Sequence, residues 1–197
     1  MRYILLVLSI LLVPGTALAA EAEQSVSLKL VLDSVDVDGA DFDGSYTLAG
    51  TYSYSLAPGW SVQATISGIN KSESEWQYDN TGSYRITINS LDLMAGARYD
   101  FFQSDKWGFF ARGGLLYYRM DLDLDEEFYG IKAGGSAAAD DNGFGFYLGG
   151  GSTMQVRSDI KLVAELQFAS RRDVLGDSSQ PFDVNTLGIL LGGEYSF

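Results

Sequence analysis

Apolar side chains recur at every second position over most of this chain, and that period leaves few folds open. Neighbouring side chains of an extended strand point to opposite faces, so a two-residue repeat writes one apolar and one polar face. The clearest stretch sets Tyr46, Leu48, Gly50, Tyr52, Tyr54 and Leu56 against Ser45, Thr47, Ala49, Thr51, Ser53 and Ser55. Trp60, Val62, Ala64 and Ile66 alternate with Ser61, Gln63, Thr65 and Ser67. Ile160, Leu162, Ala164, Leu166 and Phe168 lie opposite a face that carries Lys161, Glu165 and Gln167. None of the three shows the helical stripe with its period of about 3.6 residues.

Five more segments complete the set. Val26, Leu28, Leu30 and Leu32 share one parity, and a parity slip near Ser34 is expected to carry the strand on to Val35 and Val37. Tyr84, Ile86 and Ile88 give way to the other parity at Leu91, Leu93, Ala95, Ala97 and Tyr99. A β-bulge at Asn89 and Ser90 would realign those faces. Trp107, Phe109, Ala111, Gly113, Leu115 and Tyr117 form a fifth apolar face; Phe144, Phe146, Leu148, Met154 and Val156 form a sixth. Leu187, Ile189, Leu191, Gly193, Tyr195 and Phe197 form the last. The total of eight is even, as single-chain bacterial barrels require.

Connections alternate in length. Residues 58–59, 101–106 and 158–159 are short turns; 38–44, 71–82, 121–142 and 170–185 are long loops, the third with strand extension as an alternative. Trp60, Tyr99, Phe101, Trp107, Phe109, Tyr195 and Phe197 gather at the short-turn end. Membrane barrels put short turns on the periplasmic side and aromatic girdles at the interfaces. The expected fold is all-β, an eight-stranded antiparallel up-and-down transmembrane barrel with apolar side chains towards lipid. A soluble lipocalin-like binder would reverse the two faces.

The amino terminus reads as an address. Arg2 precedes an apolar run over residues 3–13; Pro14 and Gly15 end it, and Ala17, Leu18 and Ala19 supply the small-x-small pattern. This is the layout of a secretory signal peptide, and the run falls short of the ~20 residues of a spanning helix. The expected domains are a signal peptide over 1–19, cleaved between Ala19 and Ala20, and a barrel over 20–197.

Composition removes other classes. A formal charge of −13 disfavours nucleic acid. With no cysteine and no histidine, disulfides, thiolate metal sites and Ser-His-Asp relays are all ruled out for this chain. No enzyme, cofactor or metal is expected. Asp33, Asp36, Asp38, Asp41 and Asp43, and then Asp121, Asp123, Asp125, Glu126 and Glu127, read as solvated extracellular loops. The echo of a calcium loop at residues 34–39 fails, because Ser45 stands where the bidentate carboxylate belongs.

The inward faces carry Lys29, Arg85, Asp92, Arg98, Arg112, Glu165 and Glu194. Eight strands leave an interior that side chains just fill, so these seven are expected to form a polar plug of ion pairs, with a narrow conduit as the alternative.

The chain closes on Gly192, Gly193, Glu194, Tyr195, Ser196 and Phe197. A final strand ending in Phe197, with Tyr195 two residues before it and Gly192 five before it, resembles the insertion signal of outer-membrane barrels. Residues 91–100, LDLMAGARYD, resemble the middle of small barrels of the OmpA/OmpX/OmpW type. The resemblance implies recognition by the barrel-assembly machinery and a place among the lipids of the outer membrane of a Gram-negative-type bacterium, reached through the periplasm. No peptidoglycan-binding module is expected after Phe197. The function expected is structural or surface-interacting, with a small channel or uptake barrel for hydrophobic or small solutes as the alternative. No segment names an extracellular ligand.

Overall fold

The computed structural model describes residues 23–37, 40–78, 82–128, 131–132, 137–177 and 181–197. The expected signal peptide, with its junction at Ala19 and Ala20, lies outside them. Eight long strands form the wall: β1 Gln24–Val37, β2 Ser45–Ala57, β3 Trp60–Glu73, β4 Ser83–Gln103, β5 Trp107–Phe128, β6 Ala137–Gln155, β7 Ile160–Val174 and β8 Phe182–Ser196. Each pairs antiparallel with the next. β1 also pairs with β8, setting Val26 opposite Tyr195 and Leu32 opposite Ile189, so the sheet closes. Closure matters in lipid, where a free sheet edge has nothing to bond to. Three two-residue strands, Ala40–Asp41, Gln77–Tyr78 and Ile131–Lys132, fold back onto β1, β4 and β5.

The short turns sit at residues 58–59, 104–106 and 156–159. Gly59 turns the first of them with φ 78°, a conformation that glycine adopts without penalty.

The outer face is apolar over the middle of every stave. Leu28, Leu48, Leu115, Leu166 and Ile189 all stand exposed on it. Aromatic pairs rim the short-turn end: Trp60 on Tyr99 at 4.6 Å, Phe102 on Phe109 at 5.7 Å and Tyr195 on Phe197 at 6.1 Å. A second set, Tyr117 against Phe144 and Phe146 against Phe168, lies nearer the other end. An exposed apolar band between two aromatic girdles is the surface that a bilayer covers.

Two sequence expectations need correction, and one cause explains both. β1 runs without a slip, pairing regularly with β8 from Ser25 to Val37, so Val35 and Val37 face inwards. β4 carries no bulge at Asn89 and Ser90, for its ladder with β5 is unbroken from Ser83 to Asp100. What changes along these strands is the medium outside them. Below that level lipid surrounds the wall and apolar residues point out. Above it water surrounds the wall, and the same strands point them in. β5 shows it best, with Tyr118, Met120 and Leu122 buried and Arg119, Asp121 and Asp123 exposed. The loops are shorter than expected for the same reason: β5 continues to Phe128, β6 starts at Ala137, β7 reaches Val174 and β8 starts at Phe182.

The extension encloses an apolar core. Val35, Ile69, Ile88, Met94, Leu116, Tyr118, Met120, Leu122, Val174 and Val184 pack inside it. Burial of such side chains contributes about 1.5–3 kcal/mol each, which steadies strands that have no lipid around them.

Candidate functional site in the barrel interior

Below the apolar core the interior is polar, and the inward charges fall into three groups. Glu165 on β7 anchors the first. Its Oε2 accepts from Lys29 Nζ of β1 at 2.7 Å, and its Oε1 accepts from Arg112 Nε of β5. Arg112 also donates to Gln167 and, at 3.2 Å, to Thr65. Its guanidinium lies 5.3 Å from the Tyr147 ring centre. Lys29, Arg112 and Glu165 are all under 5% exposed, so the group is cut off from water. Room for it comes from Gly149, where a Cβ would stand 2.6 Å from Glu165 Oε1.

The second group lies nearer the short turns. Arg98 Nη1 donates to Glu194 at 2.8 Å and Nη2 donates to Asp100 at 2.8 Å. The same guanidinium covers the Phe110 ring at 4.1 Å, and Lys161 approaches Glu194 at 3.9 Å. The third lies within the apolar core, between Met94 and Ile88 along β4 and between Ala169 and Val174 along β7. Arg171 grips Asp92 with two donors, Nε at 3.2 Å and Nη2, while Ser90 also donates to Asp92. Two parallel N–H donors on one carboxylate are the strong form of this contact.

Six of the seven expected inward charges therefore sit inside: Lys29, Asp92, Arg98, Arg112, Glu165 and Glu194. Arg85 does not. It stands on the outer face of the extension, bonded to Glu73 at 2.9 Å and Asp125 at 3.4 Å, with its guanidinium 5.1 Å from the Trp76 ring. The expected bulge would have turned it inwards; without the bulge it shares the parity of Leu91. Sequence reading missed Arg171, which is 1% exposed. It falls in the stretch expected as a loop, 170–185, and its one sign in the sequence is that Gln167, Ala169 and Arg171 continue one parity.

A closed antiparallel barrel with an apolar belt, two aromatic girdles and a charged interior is a transmembrane barrel protein. The family model described as the outer membrane protein beta-barrel domain matches residues 4–197, and the chain belongs to that family. It is a protein of the bacterial outer membrane. Neisserial surface protein A superposes with a TM-score of 0.64 at 13% identity, covering 88% of this chain and 97% of that one. A major outer membrane protein of Thermus thermophilus gives 0.61 at 18% identity, covering 90% and 100%. The attachment invasion locus protein Ail of Yersinia pestis, in complex with the heparin analogue sucrose octasulfate, gives 0.57 at 14% identity, covering 90% and 100%. At these identities the likeness shows the fold alone. No curated protein matches the chain significantly.

Proposed function

We propose that the protein is a surface-interaction barrel whose interior is plugged, so that the extracellular rim and not the lumen meets the partner. The observation behind this reading is the filling of the interior: two buried ion-pair groups towards the short turns, and above them an apolar core that encloses the third. A solute crossing the barrel would have to break a carboxylate–guanidinium contact and then dehydrate against Ile88, Leu116 and Met120, all 0% exposed.

The rim supplies the chemistry of the interaction. Asp36, Asp121, Asp123 and Asp140 project from the extension, against few cations such as Lys71, Arg119 and Arg172. An acidic rim suits a basic partner surface and repels polyanions. The sulfated ligand of Ail therefore does not carry over to this chain. No catalytic role is assigned: the interior charges are held in ion pairs with one another.

In the same reading, residues 1–19 direct export and are cleaved between Ala19 and Ala20. Gly192, Tyr195 and Phe197 present the last strand to the assembly machinery. Tyr195 on the outer face of β8 and Phe197 just past its end stand exposed, where a second protein can reach them before lipid does.

Planar-bilayer recording tests the plug. The refolded barrel is expected to give no steady conductance above the bare membrane. Stepwise openings that persist across independent preparations would favour the small-channel alternative.

A further inference from the structure

The ladder between β2 and β3 is interrupted. It rises from the turn to Gly50 opposite Ile66 and stops there. Above, the strands meet again. The Ser45 hydroxyl accepts from the Asn70 N–H at 2.8 Å and donates to the Asn70 carbonyl at 3.1 Å; the Asp43 N–H reaches the Glu73 carbonyl at 2.8 Å, and Phe42 bridges Ser74. The register is the same on both sides of the break, so the strands are parted, not slipped. Between the two ends, no pairing joins Tyr46, Thr47, Leu48 and Ala49 to Ser67, Gly68 and Ile69.

The cause lies on β3. A bulge between Ile69 and Ser72 faces β4, and Lys71 takes φ 48°. The Ile69 N–H is turned onto Ser90 Oγ at 3.0 Å and the Lys71 N–H onto Asn89 Oδ1 at 2.9 Å. Bulges bend the strand that carries them. Here β3 leans onto β4 and leaves β2, which stays paired with β1 from Ser45 to Tyr54.

The break opens as a cleft of about 710 Å³ in the wall, lined by Leu48, Ile66 and Leu91, with Arg119 opposite Leu91 on β5 and Asn89 above. It lies at the level where the faces invert, the boundary between outer-leaflet lipid and water. Leu48, Ile66 and Leu91 are each at least half exposed. Arg119 is exposed and has no ion pair among the described residues. Asp121, next along the same face, also borders the cleft, so a headgroup here meets an anion site with an acceptor beside it. Main-chain groups left without ladder partners at this depth are costly unless something polar meets them.

We propose that this cleft is a lipid site. A phosphate-headed lipid of the outer leaflet lays an acyl chain over Leu48, Ile66 and Leu91. Its ester and hydroxyl groups meet the parted main chains, its phosphate meets Arg119, and a hydroxyl donor on the headgroup suits Asp121. The site lies in the wall and does not rest on the reading of the interior.

Native mass spectrometry of the whole barrel in non-ionic detergent tests this, with phosphatidylglycerol and phosphatidylcholine as probes. The unmodified protein is expected to retain one phosphatidylglycerol about fivefold over phosphatidylcholine, the effect of one cation on an anionic lipid. Arg119→Gln is expected to erase that preference, and Leu48→Ala to weaken retention of both lipids. Leu162→Ala, on the far wall, should change neither. Equal retention of the two lipids, or a preference that survives Arg119→Gln, would overturn the proposal. So would loss of phosphatidylglycerol to millimolar inorganic phosphate, which would make the site one for a free anion. Arg119 is exposed and its substitution leaves the ladder intact, so that comparison decides the matter even if Leu48→Ala does not fold.

Discussion

Glu165→Ala is expected to destabilise the barrel by about 3–5 kcal/mol, the cost of leaving buried charge without a partner. Two cations depend on this carboxylate, Lys29 on one oxygen and Arg112 on the other, and both are shut off from water. Neither has another acid within ion-pair distance among the described residues. Arg85→Ala provides the contrast. Arg85 also bonds two carboxylates, but it does so on the outer surface, where the pairs stay in reach of water and such pairs contribute about 0–1 kcal/mol. Urea unfolding of the refolded barrel in phospholipid bilayers, followed by tryptophan fluorescence, reads both. Equal midpoints for the two variants would mean that water reaches the interior group, and the plug would be lost with it.

The second large effect belongs to the outer face. Leu191→Arg is expected to cost about 2–4 kcal/mol, and Val26→Arg about 0–1 kcal/mol, as measured for cations at the midplane and the edge of a membrane barrel. Leu191 lies opposite Leu30, midway up the apolar band, while Val26 pairs with Tyr195 beside the aromatic rim. The same unfolding measurement applies. In a soluble barrel both substitutions would be nearly neutral, since an exposed arginine would meet water in each place.

Much of this architecture was legible because lipid enforces the two-residue period so strictly. Tyr46 to Leu56 and Ile160 to Phe168 declare their faces without help from the fold. The reading failed where the surroundings of a single strand change. At Ser34 and at Asn89 the apolar parity switches, and a local pattern cannot tell a bulge from a strand leaving the membrane. At both places the strand runs on regularly from lipid into water. Arg85 was placed inside by that error. Arg171 was missed by its counterpart, a loop boundary drawn at Ser170 although β7 runs on to Val174. The bulge near Asn70 and Lys71 on β3 left no mark in the hydrophobic pattern. It is a property of how β3 divides its bonds between two neighbours, and no single strand records it.

The acidic residues of 121–125 carry a related lesson. In sequence they looked like a solvated loop, and in structure they are the wet outer face of β5, alternating with Leu122 and Leu124 inside. The rim is therefore built of paired strands as far as they extend.

The central claim is that adjacent side chains of one strand face two different media, lipid and a packed interior. Spin labels placed singly along β8 in liposomes measure this through collision with dissolved oxygen, which concentrates in the acyl region. Leu187→Cys, Ile189→Cys and Leu191→Cys are expected to carry accessible labels, and Thr186→Cys and Leu190→Cys shielded ones; Leu191 is 49% exposed in the bare barrel and Leu190 1%. Accessibility that failed to alternate, or alternated with Leu190 high and Leu191 low, would contradict the account.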